Sequence, residues 1–392
     1  MFTGKLALKD RTNIYTLGDR VSVLTDLDAG IILNHVAADQ NMKFPFEAIF
    51  KSVNRLMMDN ASSEYIFDLE FFAPPKSKPS RATSTDAATS AFNEVFDGTL
   101  KLISQTTKQY TDQSYDCLGI LLCIRINNQN IRIMQKRRIP ALEGFMMQLN
   151  MVLWPRFQGV VDLHVESLKK ASVKGLVGKG DTNPHYITRR YAEFAASILT
   201  LNQGYDDALL NNSLLRVRTE MEALLLRMSA EFTDKKSRLI FLINNYDLVG
   251  TILSEHNASS FEAEKSYFDD MLETHIGQYV EEELRPFFLE LMSFVTKADG
   301  EADLSGWDAE RFEKLATHFS TTHKQAITTI NTSIMQSFPN FQNGARILQA
   351  AFTQLLLYYK RFLNVWDRRF GGKKQRVAPI GMQSVMVEIK KF

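Results

Sequence analysis

The segment GLVGKGDT, residues 175–182, holds glycines, a lysine and a threonine of the kind that cradle phosphate. A nucleotide loop requires Gly, four residues, Gly-Lys and then a hydroxyl, between a strand and a helix. Here two residues separate Gly175 from Gly178, and Gly180 stands where the metal-binding hydroxyl belongs. The segment reads as a linker between helices. The seven histidines, His35, His164, His185, His256, His275, His318 and His323, are dispersed, and no pair has zinc-helix spacing. His318 and His323 are five apart, on different helix faces. There is no Gly-x-Ser-x-Gly elbow, and neither Cys117 nor Cys123 has a histidine beside it in sequence. No cofactor and no metal is expected. The enzymatic alternative that survives is a helical hydrolase or transferase whose site is assembled from distant residues.

Other polar clusters suit binding better than catalysis. QKRRIP, residues 135–140, is an anion patch or a solvated helix end that complements the dipole. Arg368, Arg369, Lys373, Lys374 and Arg376 form a denser basic run after a helix, suited to acidic lipid or an acidic partner. In NPHYITRRYAEFAASIL, residues 183–199, Asn183 is expected to cap a helix with Pro184 in its first turn. Ile187, Tyr191, Phe194, Ala195, Ile198 and Leu201 then share one apolar side. Tyr186, Arg189, Arg190, Glu193 and Ser197 form a second strip. It is either an ion-paired surface, with both arginines in reach of Glu193, or a protein-interaction site at Tyr186, Arg189, Arg190 and Glu193. In FLINNYDLVGTIL, residues 241–253, Asn244 and Asn245 interrupt an apolar run. An unpartnered buried amide costs about 1–3 kcal/mol, so both must find partners and thereby specify the packing.

The elements that position these residues follow from composition and period. With 46 basic and 45 acidic residues in 392, the net charge of +1 supplies no field for nucleic acid or an anionic membrane. Hydrophobic residues at 45% and charged ones at 23% are ordinary for a globular chain. No uncharged apolar run approaches the roughly 18 residues that span a bilayer. Two cysteines six apart in an apolar segment fit a reducing compartment. Neither end carries a signal or lipidation pattern, so the expected location is cytosolic.

Residues 1–44 read as an irregular lead-in with short extended runs and room for one hairpin. From Pro45, Phe46, Ile49, Phe50, Val53, Leu56 and Met57 recur at helical steps, and a second such run follows from Tyr65. Residues 73–90, rich in Pro, Ser and Thr, are expected to be a flexible loop. GILLCIRI is either buried helix or strand, because short apolar runs carry no decisive period. The glycine-rich 175–182 separates an N-terminal helical bundle, 45–174, from C-terminal bundles at 183–392. Amphipathic segments are expected at 184–202, 208–256, 261–298, 307–335 and 340–370, then a short closing helix. The fold class is mainly α, an elongated rod of stacked antiparallel helical bundles.

Several blocks of this chain taken in order, RTNIYTLGDR, FPFEAIFKSVN, EYIFDLEFF, LLCIRINNQNIR, RRIPALEGF, LWPRF, NPHYITRRYAEF, RLIFLINNYDLV, SFPNFQNGARILQAAF and VMVEIKK, resemble the C-terminal portion of the vacuolar protein sorting-associated protein 52 family. The resemblance covers nearly the whole chain. It implies a noncatalytic helical subunit of the Golgi-associated retrograde protein complex, which captures endosome-derived vesicles at the trans-Golgi network. Implied partners are sister subunits, Rab or ARF-like small GTPases and SNARE proteins. The implied location is peripheral, on trans-Golgi and endosomal membranes. The family also carries an N-terminal coiled-coil region, and residues 1–40 contain no sustained heptads to match it.

Overall fold

The computed structural model describes residues 14–26, 30–39, 41–72, 81–178, 180–256, 258–299, 301, 306–371 and 375–392. Among the described residues every regular element is helical. They fall into two compact units.

The first unit takes the described residues up to Ala171 together with Arg190–Met221. The lead-in forms a 3-10 turn at Gly18–Val21 and short helices α1 (Ser22–Thr25) and α2 (Asn34–Asp39), so the hairpin expected there is absent among the described residues. Tyr15 and Leu17 are buried, which anchors the lead-in. Next come α3 (Phe46–Phe71), α4 (Arg81–Gln113), α5 (Cys117–Arg137) and α6 (Glu143–Lys169).

The proposed flexible loop at 73–90 needs correction, because 81–90 is the first part of α4 and only 73–80 lies outside the described residues. Alanine at 82, 87, 88 and 91 favours helix more than the Ser/Thr content disfavours it. Burial completes the case: Ala88 and Phe92 are fully buried, with the Phe92 ring edge-on to Tyr65 at 6.1 Å.

Helix α5 settles the GILLCIRI ambiguity. Every residue from Cys117 to Asn127 is buried, so this half of the helix is covered on all sides and has no one-sided stripe to announce it. Asp116 caps it by accepting the Gly119 N–H at 2.9 Å. It stops at Arg138 in the left-handed conformation, φ 58°, with the Ile139 N–H reaching back to the Met134 carbonyl at 3.2 Å. Both cysteines are buried free thiols, and burial pushes their pKa values well up, away from reactivity.

Helices α7 (Tyr186–Asn202) and α8 (Ala208–Ser229) each contribute to both units. The second unit takes Ser172–Arg189 and Glu222–Phe392, with α9 (Lys235–Ser254), α10 (Glu262–Asp299), α11 (Ala309–Ser337), α12 (Phe341–Phe370) and α13 (Met382–Ile389). The glycine-rich segment therefore falls inside the second unit, and the units do not follow the division read at 175–182. The single segment expected at 208–256 is two helices. Asp234 starts the second by accepting the Ser237 N–H at 2.7 Å.

Helix α12 matches its sequence pattern, with Ile347, Leu348, Ala351, Leu355, Tyr359, Phe362 and Trp366 all buried. The Tyr359 hydroxyl donates to the Ile380 carbonyl at 2.6 Å and ties down the tail ahead of α13. Helix α10 bends at Phe288, φ −129°, where Pro286 removes a backbone donor.

Candidate functional site

The blocks that carry the family resemblance meet in buried polar clasps. In the first unit Arg20 bridges two carboxylates, Glu47 at 2.6 Å and Asp116 at 2.6 Å. Glu47 is 2% exposed, so this guanidinium takes the place of water as the partner of its carboxylate. Asp116 is the cap of α5, and the clasp thus ties the lead-in, α3 and α5 together. Gly119 makes room for it: a Cβ there would lie 2.7 Å from the Asp116 carboxylate and 2.8 Å from the Arg20 guanidinium.

A second clasp joins the lead-in to α7. Thr16 Oγ1 donates to Glu193 at 2.5 Å, and the Leu17 N–H donates to Ser197 Oγ at 2.9 Å. The Arg190 guanidinium lies 5.5 Å from the Tyr15 ring centre. Two members of the sequence-derived interaction strip, Arg190 and Glu193, therefore face the chain's own residues 15 and 16. Its other two, Tyr186 and Arg189, are exposed.

Sequence reasoning missed Arg125, a fully buried guanidinium. It donates to the Leu201 carbonyl at 2.8 Å and to Asn202 at 3.3 Å, stacks 3.9 Å from the Tyr205 ring centre, and faces Asp207 at 3.7 Å. The group holds the turn after α7, where Gly204 and Asp206 take positive φ. Its one sequence signal is a lone arginine inside the apolar run GILLCIRI.

The second unit is clasped by Asn244 and Asn245, both buried as expected. Asn244 donates to the Thr182 carbonyl at 2.9 Å and the Ser337 carbonyl at 3.1 Å. One oxygen of Asn245 accepts from the His185 N–H at 2.8 Å and the Thr188 hydroxyl at 2.6 Å, while its amide donates to the Phe241 carbonyl at 2.7 Å. Asp247 accepts from Asn340, the cap of α12, at 2.9 Å. Burial raises the pKa of this carboxyl, against the opposing effects of Asn340 and Arg346. Asn183 does not cap α7. Its amide turns to Asp181 at 2.9 Å, and the helix begins at Tyr186 with the His185 carbonyl accepting from Thr188 at 3.0 Å.

The basic run at the end of α12 makes hydrogen bonds within the chain while Arg368 and Arg376 stay exposed. Arg368 donates to the Glu301 carbonyl at 2.8 Å and Arg369 to the Trp307 carbonyl at 3.3 Å. The Arg376 N–H bonds Glu313 at 3.2 Å, while Lys373 and Lys374 lie outside the described residues.

Among the described residues no group of three His, Cys, Asp or Glu side chains is placed to hold a metal ion. A groove of about 530 Å³ beside α1 and α3 is lined by Arg20, Glu47, Lys51 and Arg55 over apolar Ile31 and Phe44, with neither histidine nor cysteine in its wall. No helix among the described residues is long and apolar enough to cross a membrane.

His164 gives a direct test of one clasp. Its ring sits between Tyr15 at 6.0 Å and Phe194 at 5.9 Å, and burial lowers its pKa from 6.5 to about 3. Between those values the unfolded chain binds the proton and the folded chain does not, so stability falls as pH falls through that window. Moving from pH 7 to pH 5 is expected to cost the first unit about 2 kcal/mol through this group. Denaturant unfolding at both pH values checks it. The loss should largely vanish in His164→Phe, and an unchanged pH dependence in that variant would refute the assignment.

The two units define an α-helical scaffold whose distinctive polar residues are committed to holding helices together. Residues 1–280 match the family model described as Vps52, C-terminal. The chain is 36% identical over 391 residues to vacuolar protein sorting-associated protein 52 A of Arabidopsis thaliana, covering 98% of this chain and 53% of that relative. It is 35% identical over 398 residues to the human vacuolar protein sorting-associated protein 52 homolog, covering 100% of this chain and 54% of that relative. The Saccharomyces cerevisiae protein is 29% identical over 265 residues, 62% of this chain and 40% of its own length. The chain belongs to the vacuolar protein sorting-associated protein 52 family. It spans about half the length of the curated relatives it matches.

Proposed function

We propose that the chain works as a noncatalytic part of a vesicle-tethering complex in retrograde transport from endosomes to the trans-Golgi network. It acts there as a helical scaffold for small GTPases, SNARE proteins and sister subunits of the Golgi-associated retrograde protein complex. Family membership carries the reading. The clasps support it, because Arg125, Asn244 and Asn245 are buried and spend their hydrogen bonds on holding helices together. Tyr186, 42% exposed, and Arg189 are the contact residues on α7. Membrane association is peripheral, with Arg368, Arg369 and Arg376 keeping their charge for acidic lipid or an acidic partner.

The test is retention of Golgi Rab and ARF-like GTPases on the immobilised chain, in GTP-loaded and GDP-loaded form. GTP-loaded protein should be retained selectively, and Tyr186→Ala with Arg189→Ala should abolish retention while the helical circular dichroism is unchanged. Equal retention of both nucleotide forms, or of neither, would count against the proposal.

A further inference from the structure

The basic residues of this chain are unevenly placed. Residues 367–392 hold seven of them against two acids, Asp367 and Glu388, so the whole excess of base over acid in the chain is gathered there. Glu388 is 9% exposed, and both its oxygens accept from the Lys391 ammonium at 2.8 Å, which leaves Asp367 as the exposed acid of the stretch. The stretch is folded back on the helices before it. The bond from the Tyr359 hydroxyl to the Ile380 carbonyl seats the start of α13 about 14 Å along the α12 axis from Arg368. Helix α13 and the basic end of α12 therefore share one end of the second unit.

Helix α13 has two unlike faces. Val385 and Glu388 are buried on the side that packs against α11 and α12. At about 100° per residue Val387 points directly away from Val385, with Met386 and Lys390 to one side of it and Lys391 to the other. Met386 is 42% exposed, Val387 62%, and Phe392, just past the helix, 50%. These apolar groups stand on the convex outside of a helix, a shape that enters a fluid surface rather than one that receives a side chain. Lysines interleaved with exposed apolar residues suit an anionic bilayer, because the apolar groups reach the acyl boundary while the ammonium groups stay among acidic headgroups. We infer that the outer face of α13 rests on an anionic membrane surface, with Met386, Val387 and Phe392 inserted and Lys390, Lys391 and the arginines at the end of α12 held by headgroup charge. This specifies the peripheral membrane association proposed above and rests on that reading. The inserted area is small, so the contact is weak and reversible by itself and gains strength only alongside other attachments.

Flotation of the chain with vesicles tests it, using phosphatidylcholine alone or mixed with about one third phosphatidylserine. Binding is expected on the mixed vesicles only, and it should fall as salt is raised. Lys390→Gln should weaken it about fivefold. Met386→Gln with Val387→Gln leaves every charge in place and should abolish it without lowering the melting temperature, since both sites are exposed. Lys108→Gln, an exposed lysine of the first unit, should change nothing. Absence of binding to the mixed vesicles overturns the proposal and leaves the basic stretch to an acidic protein. Binding that survives Met386→Gln with Val387→Gln, or that Lys108→Gln weakens as much as Lys390→Gln does, overturns it equally, because the contact would then lie elsewhere or be diffuse. GTPase retention on the same chain is read separately, so the membrane contact can fail while the tethering role stands.

Discussion

Arg20→Ala is expected to destabilise the first unit by about 3–5 kcal/mol, read from chemical denaturation followed by a probe in that unit. The size comes from what is left behind. Glu47 keeps its buried carboxylate with the guanidinium at 2.6 Å removed, and Asp116 loses its other partner while still capping α5. Arg20→Lys keeps the charge but loses the planar fork that reaches both carboxylates, so it should recover only part of the loss. Gly119→Ala should disturb the same clasp from the other side, because its Cβ would meet both charged groups below 3 Å. Wild-type unfolding in Arg20→Ala would show that the clasp contributes nothing to stability.

Asn245→Ala is expected to cost the second unit about 3 kcal/mol, because two donors lose their shared acceptor. The Thr188 hydroxyl is fully buried and has no water to turn to, and the His185 N–H is half-buried at the start of α7. A probe in α9 should report the loss. Thr188→Val in the same background should recover part of it, since the stranded hydroxyl is then gone. Simple additivity of the two substitutions would mean that Asn245 and Thr188 are not coupled.

The parts legible beforehand were those where one face is wet and the other dry. In α12 the apolar residues recur every three or four positions because one side packs and the other does not, and the buried set matched that stripe. The partnered amides of Asn244 and Asn245 were legible from the cost of burying an unsatisfied amide.

Where that contrast fails, the pattern fails. The N-terminal half of α5, Cys117–Asn127, is buried all round, so GILLCIRI carries no period to separate helix from strand. Helix α3 has two apolar stripes one residue apart, and the sequence merged Ile49, Val53 and Leu56 with Phe50 and Met57 into one face. The start of α4 lacks large apolar residues, so its sequence carries the composition of a loop. Arg20 and Arg125 escaped notice because their carboxylate partners lie 27 to 96 residues away or beyond a helix end at Asp207. No spacing rule connects such pairs. Arg190 and Glu193 were read as a surface because nothing in their own helix shows that residues 15 and 16 return to cover them.

Under the proposed function, this chain does the work of the matched half of a vacuolar protein sorting-associated protein 52 relative through scaffolding alone. The most direct measurement grafts it in place of that half of the Arabidopsis relative, in cells lacking the native protein. The distribution of a cargo cycling between endosomes and the trans-Golgi network is then followed. Retrieval of the cargo to the trans-Golgi network is the result the account requires, with loss of retrieval in the graft carrying Asn245→Ala in proportion to its loss of folded protein. A graft that accumulates and folds normally yet leaves the cargo stranded in endosomes would contradict it.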